Sequence, residues 1–193
     1  MKDIVVIDYG AGNVRSVSFA LDRLGYKSEL SSDENRIRSA DYVIFPGVGH
    51  AKPAMDILEK KGLTDVIRTL KQPVLGICLG MQLMCNSSEE GSTQCLGIFD
   101  TEVKRFNPHL KVPHIGWNDL SSPSSFLENI VGQVYFVHSF YVPINPFTIA
   151  KCDYYGDFSA VIGKDNFFGC QFHPEKSGNV GQEILKKFLE IKQ

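Results

Sequence analysis

Three short runs of apolar residues without polar alternation, Ile4-Val5-Val6-Ile7, Tyr42-Val43-Ile44-Phe45 and Val74-Leu75-Gly76-Ile77, limit the folds open to this chain. A strand with one face in water alternates polar and apolar residues. An unbroken run instead marks a strand covered on both faces, as in a parallel sheet between two layers of helices. Each run ends in residues that can turn or start a helix: Gly10-Ala11-Gly12-Asn13, then Pro46-Gly47-Val48-Gly49, then Cys78 leading into a helical stretch from Leu79 to Cys85. From Val14, the residues Val17, Ala20, Leu21 and Leu24 recur at helical spacing until Gly25, which fits a residue just past a helix end. Buried strands alternating with helices predict an α/β fold built on a mixed, mostly parallel, doubly wound sheet.

After about Gly91 the texture changes. Val103-Lys104-Arg105-Phe106, Val134-Tyr135-Phe136-Val137, Thr148-Ile149-Ala150-Lys151 and Ala160-Val161-Ile162 read as short strands set between Pro, Asn, Asp and Ser, which predicts added antiparallel strands. Lys164-Asp165-Asn166 reads as a hairpin turn leading into Phe168-Gly169-Cys170-Gln171-Phe172, and Ile184, Leu185, Phe188 and Leu189 mark a closing amphipathic helix. With 193 residues, 43% of them hydrophobic, one core is large enough to fold without disulfide or metal staples. No repeat, linker or low-complexity segment interrupts the chain, so a single domain over residues 1–193 is expected.

Twenty Lys and Arg against 22 Asp and Glu make no basic field for nucleic acid. Cys78, Cys85, Cys95, Cys152 and Cys170 are an odd number of cysteines in no paired spacing, which fits reduced thiols better than a disulfide framework, and no zinc spacing is present. The first residues do not make a signal peptide, and no stretch of about 18 apolar residues runs together. A cytoplasmic protein is expected, with no metal, cofactor, nucleic acid or membrane partner called for.

In open α/β sheets, sites form at the carboxyl ends of strands. Cys78 stands at such an end, with Gly76 and Gly80 two residues to either side, as a sharp strand-to-helix turn requires. The positive end of a following helix favours the thiolate. Taken alone, Cys78 reads equally well as a small core residue. A nucleophilic Cys needs a base, and the base needs an orienting acceptor, which His173-Pro174-Glu175 could supply. In extended backbone, residues two apart share a face, and Pro174 favours extension at His173. Alone, that tripeptide reads as a surface turn. Gly47-Val48-Gly49 allows a peptide rotation that would turn an N–H toward an acyl oxygen, although alone the motif reads more readily as a plain turn. Gln82 follows Cys78 by four residues, so both side chains can face one site. His50, His109, His114 and Trp117 are assigned no chemistry from the residues alone.

Pro46-Gly47-Val48-Gly49, Gly76-Ile77-Cys78-Leu79-Gly80-Met81-Gln82 and His173-Pro174-Glu175, in this order and spanning nearly the whole chain, resemble the class I (triad) glutamine amidotransferases. Within that class, Asp8-Tyr9-Gly10-Ala11-Gly12-Asn13, Phe45, Pro113-His114-Ile115-Gly116-Trp117-Asn118, Tyr135-Phe136-Val137-His138-Ser139-Phe140 and Lys176 resemble the glutaminase subunits of imidazole glycerol phosphate synthase. The resemblance implies a flavodoxin-like class I architecture and hydrolysis of L-glutamine to glutamate and ammonia through a γ-glutamyl thioester. In that mechanism Cys78 is the nucleophile, His173 the proton carrier and Glu175 its orienter. It further implies an oxyanion hole at Val48, Gly49 and Leu79, substrate contacts at Gly47, Gln82, Ser139 and Phe140, and a partner-facing set of Asn13, Tyr135, His138 and Lys176. The implied partner is a (β/α)8-barrel cyclase subunit in a heterodimer, which uses the ammonia to make imidazole glycerol phosphate and AICAR in histidine biosynthesis.

Three other readings remain open on the sequence. A paralogous glutaminase subunit could supply ammonia for nucleotide-sugar or surface-polysaccharide synthesis. A flavodoxin-like binding module could use Gly10-Ala11-Gly12-Asn13 as a phosphate cradle, but the loop lacks a G-x-G-x-x-G or P-loop Lys pattern. An inactive docking subunit would have no use for an intact triad.

Overall fold

The computed structural model describes residues 2–10, 12–121, 127–130 and 132–191. Ala11, part of the first glycine-bearing loop, lies outside the described residues. The chain opens with strand β1 (Ile4–Ile7), helix α1 (Val14–Arg23), β2 (Ser28–Ser31), α2 (Glu34–Ser39), β3 (Tyr42–Gly47), α3 (Ala51–Lys60), α4 (Leu63–Arg68), β4 (Val74–Cys78) and the short α5 (Leu79–Leu83). It continues through β5 (Cys85–Ser88), β6 (Thr93–Gln94), β7 (Phe99–Arg105), β8 (His114–Asp119), β9 (Gln133–His138) and β10 (Phe140–Tyr141). It closes with β11 (Thr148–Asp153), β12 (Asp157–Lys164), β13 (Phe167–Cys170) and α6 (Gly178–Leu189).

Among the described residues the central sheet has seven strands in the order β11-β12-β13-β4-β3-β1-β2. The run from β13 to β2 is parallel, and β12 and β11 extend it antiparallel past the turn at Asp165. This is the expected single-domain α/β architecture, and the sheet splits the core in two. Val5, Ile7 and Phe45 point into one half with Leu58 of α3 and Ile67 of α4, whereas Ile4, Val6 and Ile44 point into the other with Leu21 of α1 and Phe188 of α6. Burial on both faces is the physical reason that these strands read as unbroken apolar runs. Gly25 ends α1 as expected: its N–H bonds Asp22 O and that of Tyr26 bonds Leu21 O, so two terminal carbonyls find donors.

Two small sheets stand beside the main one, β10-β7-β5-β6 and the antiparallel pair β8-β9. The helix expected from Leu79 to Cys85 stops at Leu83. The carbonyls of Leu83, Met84 and Cys85 are taken by the N–H groups of Leu96, Ile98 and Gly97, so the backbone leaves the helix to enter β5. The strand expected through Phe172 likewise ends at Cys170. No helix among the described residues is long and apolar enough to cross a membrane.

Candidate active site

Cys78 takes φ 53° and ψ −109° where β4 turns into α5. A positive φ is costly for a residue with a Cβ, and it persists only where the surroundings enforce it. Here close backbone packing does so. A Cβ on Gly80 would lie 1.9 Å from Phe45 O, and one on Gly47 would lie 2.5 Å from Gly80 N, so β3 and α5 meet with no side chains between them. The register Gly47↔Cys78 then sets the Gly47-Val48-Gly49 segment beside the thiol.

The parallel pairing Cys170↔Ile77 carries the chain after β13 out alongside Cys78. His173 is extended, at φ −100° and ψ 95°, but Pro174–Lys176 forms a 3-10 turn. The alternation expected for His173-Pro174-Glu175 therefore gives way to a tight turn, which brings Glu175 Oε1 to 2.8 Å from His173 Nδ1. Ser177 Oγ donates to His173 O at 2.7 Å and His173 N donates to Tyr135 O at 2.9 Å, fixing the segment at both ends. A carboxylate only accepts, so Nδ1 of His173 carries the proton toward Glu175 and Nε2 is left to serve Cys78, which lines the same cleft. Burial by itself would lower the basicity of His173. The interactions with Cys78 and Glu175 outweigh that and raise its pKa to about 10.

Cys78 and His173 open on a cleft of about 320 Å³, at the small end of ligand pockets and suited to something the size of an amino acid. Val48, Gly49, Leu79, Gln82, Ser139 and Phe140, all singled out from sequence, line it. Gly47 is buried behind that lining. Gly49 has φ +95°, a conformation that suits glycine, and the space where a Cβ would stand is open.

The residues expected to face a partner are spread differently. Lys176 is exposed on the 3-10 turn, while Asn13 at the head of α1 and Tyr135 on β9 are half-buried. Tyr135 also meets the half-exposed Trp117 edge to face, ring centres 5.8 Å apart. His138 is placed differently from the expectation: it is only 6% exposed, and both ring nitrogens are hydrogen-bonded inside the protein, to Phe140 O at 2.7 Å and to His114 Nδ1 at 3.0 Å. Its ring is packed among Phe106, Phe136 and Phe158, and the residue also lines the cleft.

Three further residues belong to the site. Glu90 lines the cleft, accepting from Ala51 N at 2.8 Å and pairing with His50 Nδ1 at 3.0 Å. Gln171 lies under the thiol. Tyr9 is fully buried, and its hydroxyl has no hydrogen-bond partner among the described residues. Glu90 and Gln171 carry no local sequence signature, because each acts through a contact made by the fold.

Residues 5–191 match the family Glutamine amidotransferase class-I. The imidazole glycerol phosphate synthase subunit HisH of Bacteroides fragilis is 55% identical, over 97% of this chain and 99% of its own, and the HisH subunit of Buchnera aphidicola is 46% identical over the same shares. Among solved structures, a glutamine amidotransferase superposes with a TM-score of 0.77 over 96% of this chain and 98% of its own, at 18% identity. The PurLQS structure from Thermotoga maritima gives 0.70 over 98% of each chain, also at 18% identity. At such identities these two speak for the fold alone, whereas the HisH relatives speak for the subfamily. The chain belongs to the class-I glutamine amidotransferases and, among them, to the HisH subunits of imidazole glycerol phosphate synthase.

Proposed function

We propose that this chain hydrolyses L-glutamine at the Cys78, His173 and Glu175 triad and delivers the ammonia to a cyclase subunit. The observation that carries the reading is the 2.8 Å bond between His173 and Glu175, on an imidazole that lines one cleft with Cys78, itself held at positive φ. Cys78 Sγ attacks the side-chain amide carbon and forms a C–S bond. Negative charge then gathers on the amide oxygen, where N–H groups of Leu79 and of the Gly47-Val48-Gly49 loop serve as donors. His173 gives its Nε2 proton to the leaving nitrogen, the C–N bond breaks, and ammonia departs. A water molecule then loses a proton to His173 and attacks the γ-glutamyl thioester, which releases glutamate and restores the thiolate. Gln82, Ser139 and Phe140 hold the substrate, with Gly47 shaping the loop beside it.

The ammonia serves a (β/α)8-barrel cyclase in a heterodimer, in the step of histidine biosynthesis that yields imidazole glycerol phosphate and AICAR, inside the cytoplasm. Asn13, Tyr135 and Lys176 lie toward that partner, and His138 supports the cleft from within. Relatives named as HisH at 45–55% identity favour this pathway over the nucleotide-sugar alternative. The test is ammonia release from glutamine, measured for the chain alone and in complex with its liganded cyclase. Turnover that is low alone and rises with the liganded cyclase supports the reading; no hydrolysis in either condition rejects it.

A further inference from the structure

We infer that Gln171 is a fourth catalytic residue, whose side-chain amide donates a hydrogen bond to Cys78 Sγ and stabilises the sulfur as a thiolate. The inference rests on the reading of Cys78 as nucleophile. Gln171 is the first residue after β13 and Cys78 the last of the adjacent β4, and the pairing Cys170↔Ile77 brings them out side by side. Gln171 is fully buried, with Nε2 3.7 Å from Sγ.

Whether an amide presents nitrogen or oxygen must be argued from its partners. The backbone carbonyl of Phe140 can only accept. Gln82 lies 2.9 Å from that oxygen and must therefore turn its NH2 toward it, and the same NH2 reaches Gln171 at 2.9 Å. Gln171 then has to offer its oxygen to Gln82, which leaves its nitrogen for the sulfur. The same carbonyl orders the histidines. His138 Nδ1 donates to it at 2.7 Å, so Nε2 of His138 is bare and accepts from His114 Nδ1 at 3.0 Å. A protonated His138 would set N–H against N–H. Burial prevents this by holding His138 to about 3 and His114 to about 4.

One backbone oxygen thus fixes every donor from His114 to Gln171, and the chain ends with an N–H aimed at the nucleophile. Val137 O, 4.0 Å from Sγ on another side, can take only the proton of a thiol and so favours the other form. The other titratable groups facing the sulfur are His173, with Glu175 behind it, Tyr9 and Cys170; burial pushes the last two upward and keeps them neutral. Gln171 and His173 are therefore the side chains that favour the thiolate.

The test compares wild type with Gln171→Met, which keeps length and removes the donor. Ammonia release is measured on the complex with the cyclase, and iodoacetamide labelling of Cys78 is followed across pH by peptide mass spectrometry. Loss of a hydrogen bond to a charged atom should lower kcat by about tenfold or more, change KM far less, and move the labelling profile upward by about one pH unit. A labelling profile that superposes on wild type, with kcat unchanged, overturns the inference. A measurement on the unmutated sequence covers the case of a misfolded variant: the 15N side-chain amide signal of Gln171 should shift as Cys78 loses its proton, and should stay constant over the same range in Cys78→Ala. A signal constant in both also overturns it. If Cys78→Ala still hydrolyses glutamine, the proposed function fails instead. If that variant is inactive while Gln171→Met matches wild type, only the role of Gln171 fails.

Discussion

Gly80 rests backbone to backbone on Phe45: a Cβ at residue 80 would lie 1.9 Å from the Phe45 carbonyl oxygen. In most helices a Gly→Ala change stabilises by about 1 kcal/mol. Here the new methyl would have to push α5 off β3 and drag Cys78 out of its positive φ. Gly80→Ala should therefore destabilise the protein by about 1–3 kcal/mol, as overpacked cores do, and should lose glutaminase activity. A urea unfolding midpoint equal to or above wild type would show that the elbow is looser than described.

The triad should act as a unit. Cys78→Ala should abolish hydrolysis and leave ammonia-driven synthesis by the assembled enzyme intact. His173→Ala should cost as much as losing Cys78, whereas Glu175→Gln keeps an acceptor for Nδ1 and should leave more residual activity. Ammonia release by the three variants checks the ranking. Wild-type rates in Glu175→Gln would mean that another group orients His173.

What could be read from the sequence follows from what each residue depends on. β1, β3 and β4 were legible because burial on both faces removes polar residues from a strand. β2, Ser28-Glu29-Leu30-Ser31, was not, since this edge strand is partly exposed and has no apolar run to betray it. Cys78, the loop after β3 and His173-Pro174-Glu175 were legible because turn geometry and acid–base chemistry demand particular residue types close together in the chain. Gln171 and Glu90 carry no such mark. Each reaches its partner across elements far apart in sequence, Gln171 to Cys78 and Glu90 to the head of α3. His138, assigned to the partner surface by resemblance, turned inward because β9 alternates and places Val134, Phe136 and His138 on its buried face.

Acid should weaken the fold through the paired histidines. His138 and His114 are held to about 3 and about 4, below the ordinary histidine value of 6.5. Between these limits the unfolded chain binds protons that the folded chain does not, so stability falls as pH falls from about 6.5 toward 4. In His138→Phe that slope should be shallower. Urea midpoints at several pH values measure it, and an unchanged slope would place the acid sensitivity elsewhere.

Lys176 is exposed beside the segment that holds His173 and Glu175. If it faces the cyclase, Lys176→Ala should reduce the stimulation of hydrolysis by cyclase ligand while sparing synthesis from added ammonia. Basal hydrolysis and stimulated hydrolysis, measured on the assembled complex, separate the two effects. Undiminished stimulation in a complex that assembles normally would make Lys176 a solvated charge only.

The most direct measurement of the central claim is rapid acid quenching of the complex during glutamine turnover, followed by mass spectrometry of the peptide containing Cys78. A γ-glutamyl adduct on Cys78, absent from Cys78→Ala and accumulating when the thioester is trapped before water attacks, is the predicted result. Glutamine hydrolysis that proceeds without an adduct at Cys78 and persists in Cys78→Ala would contradict the account.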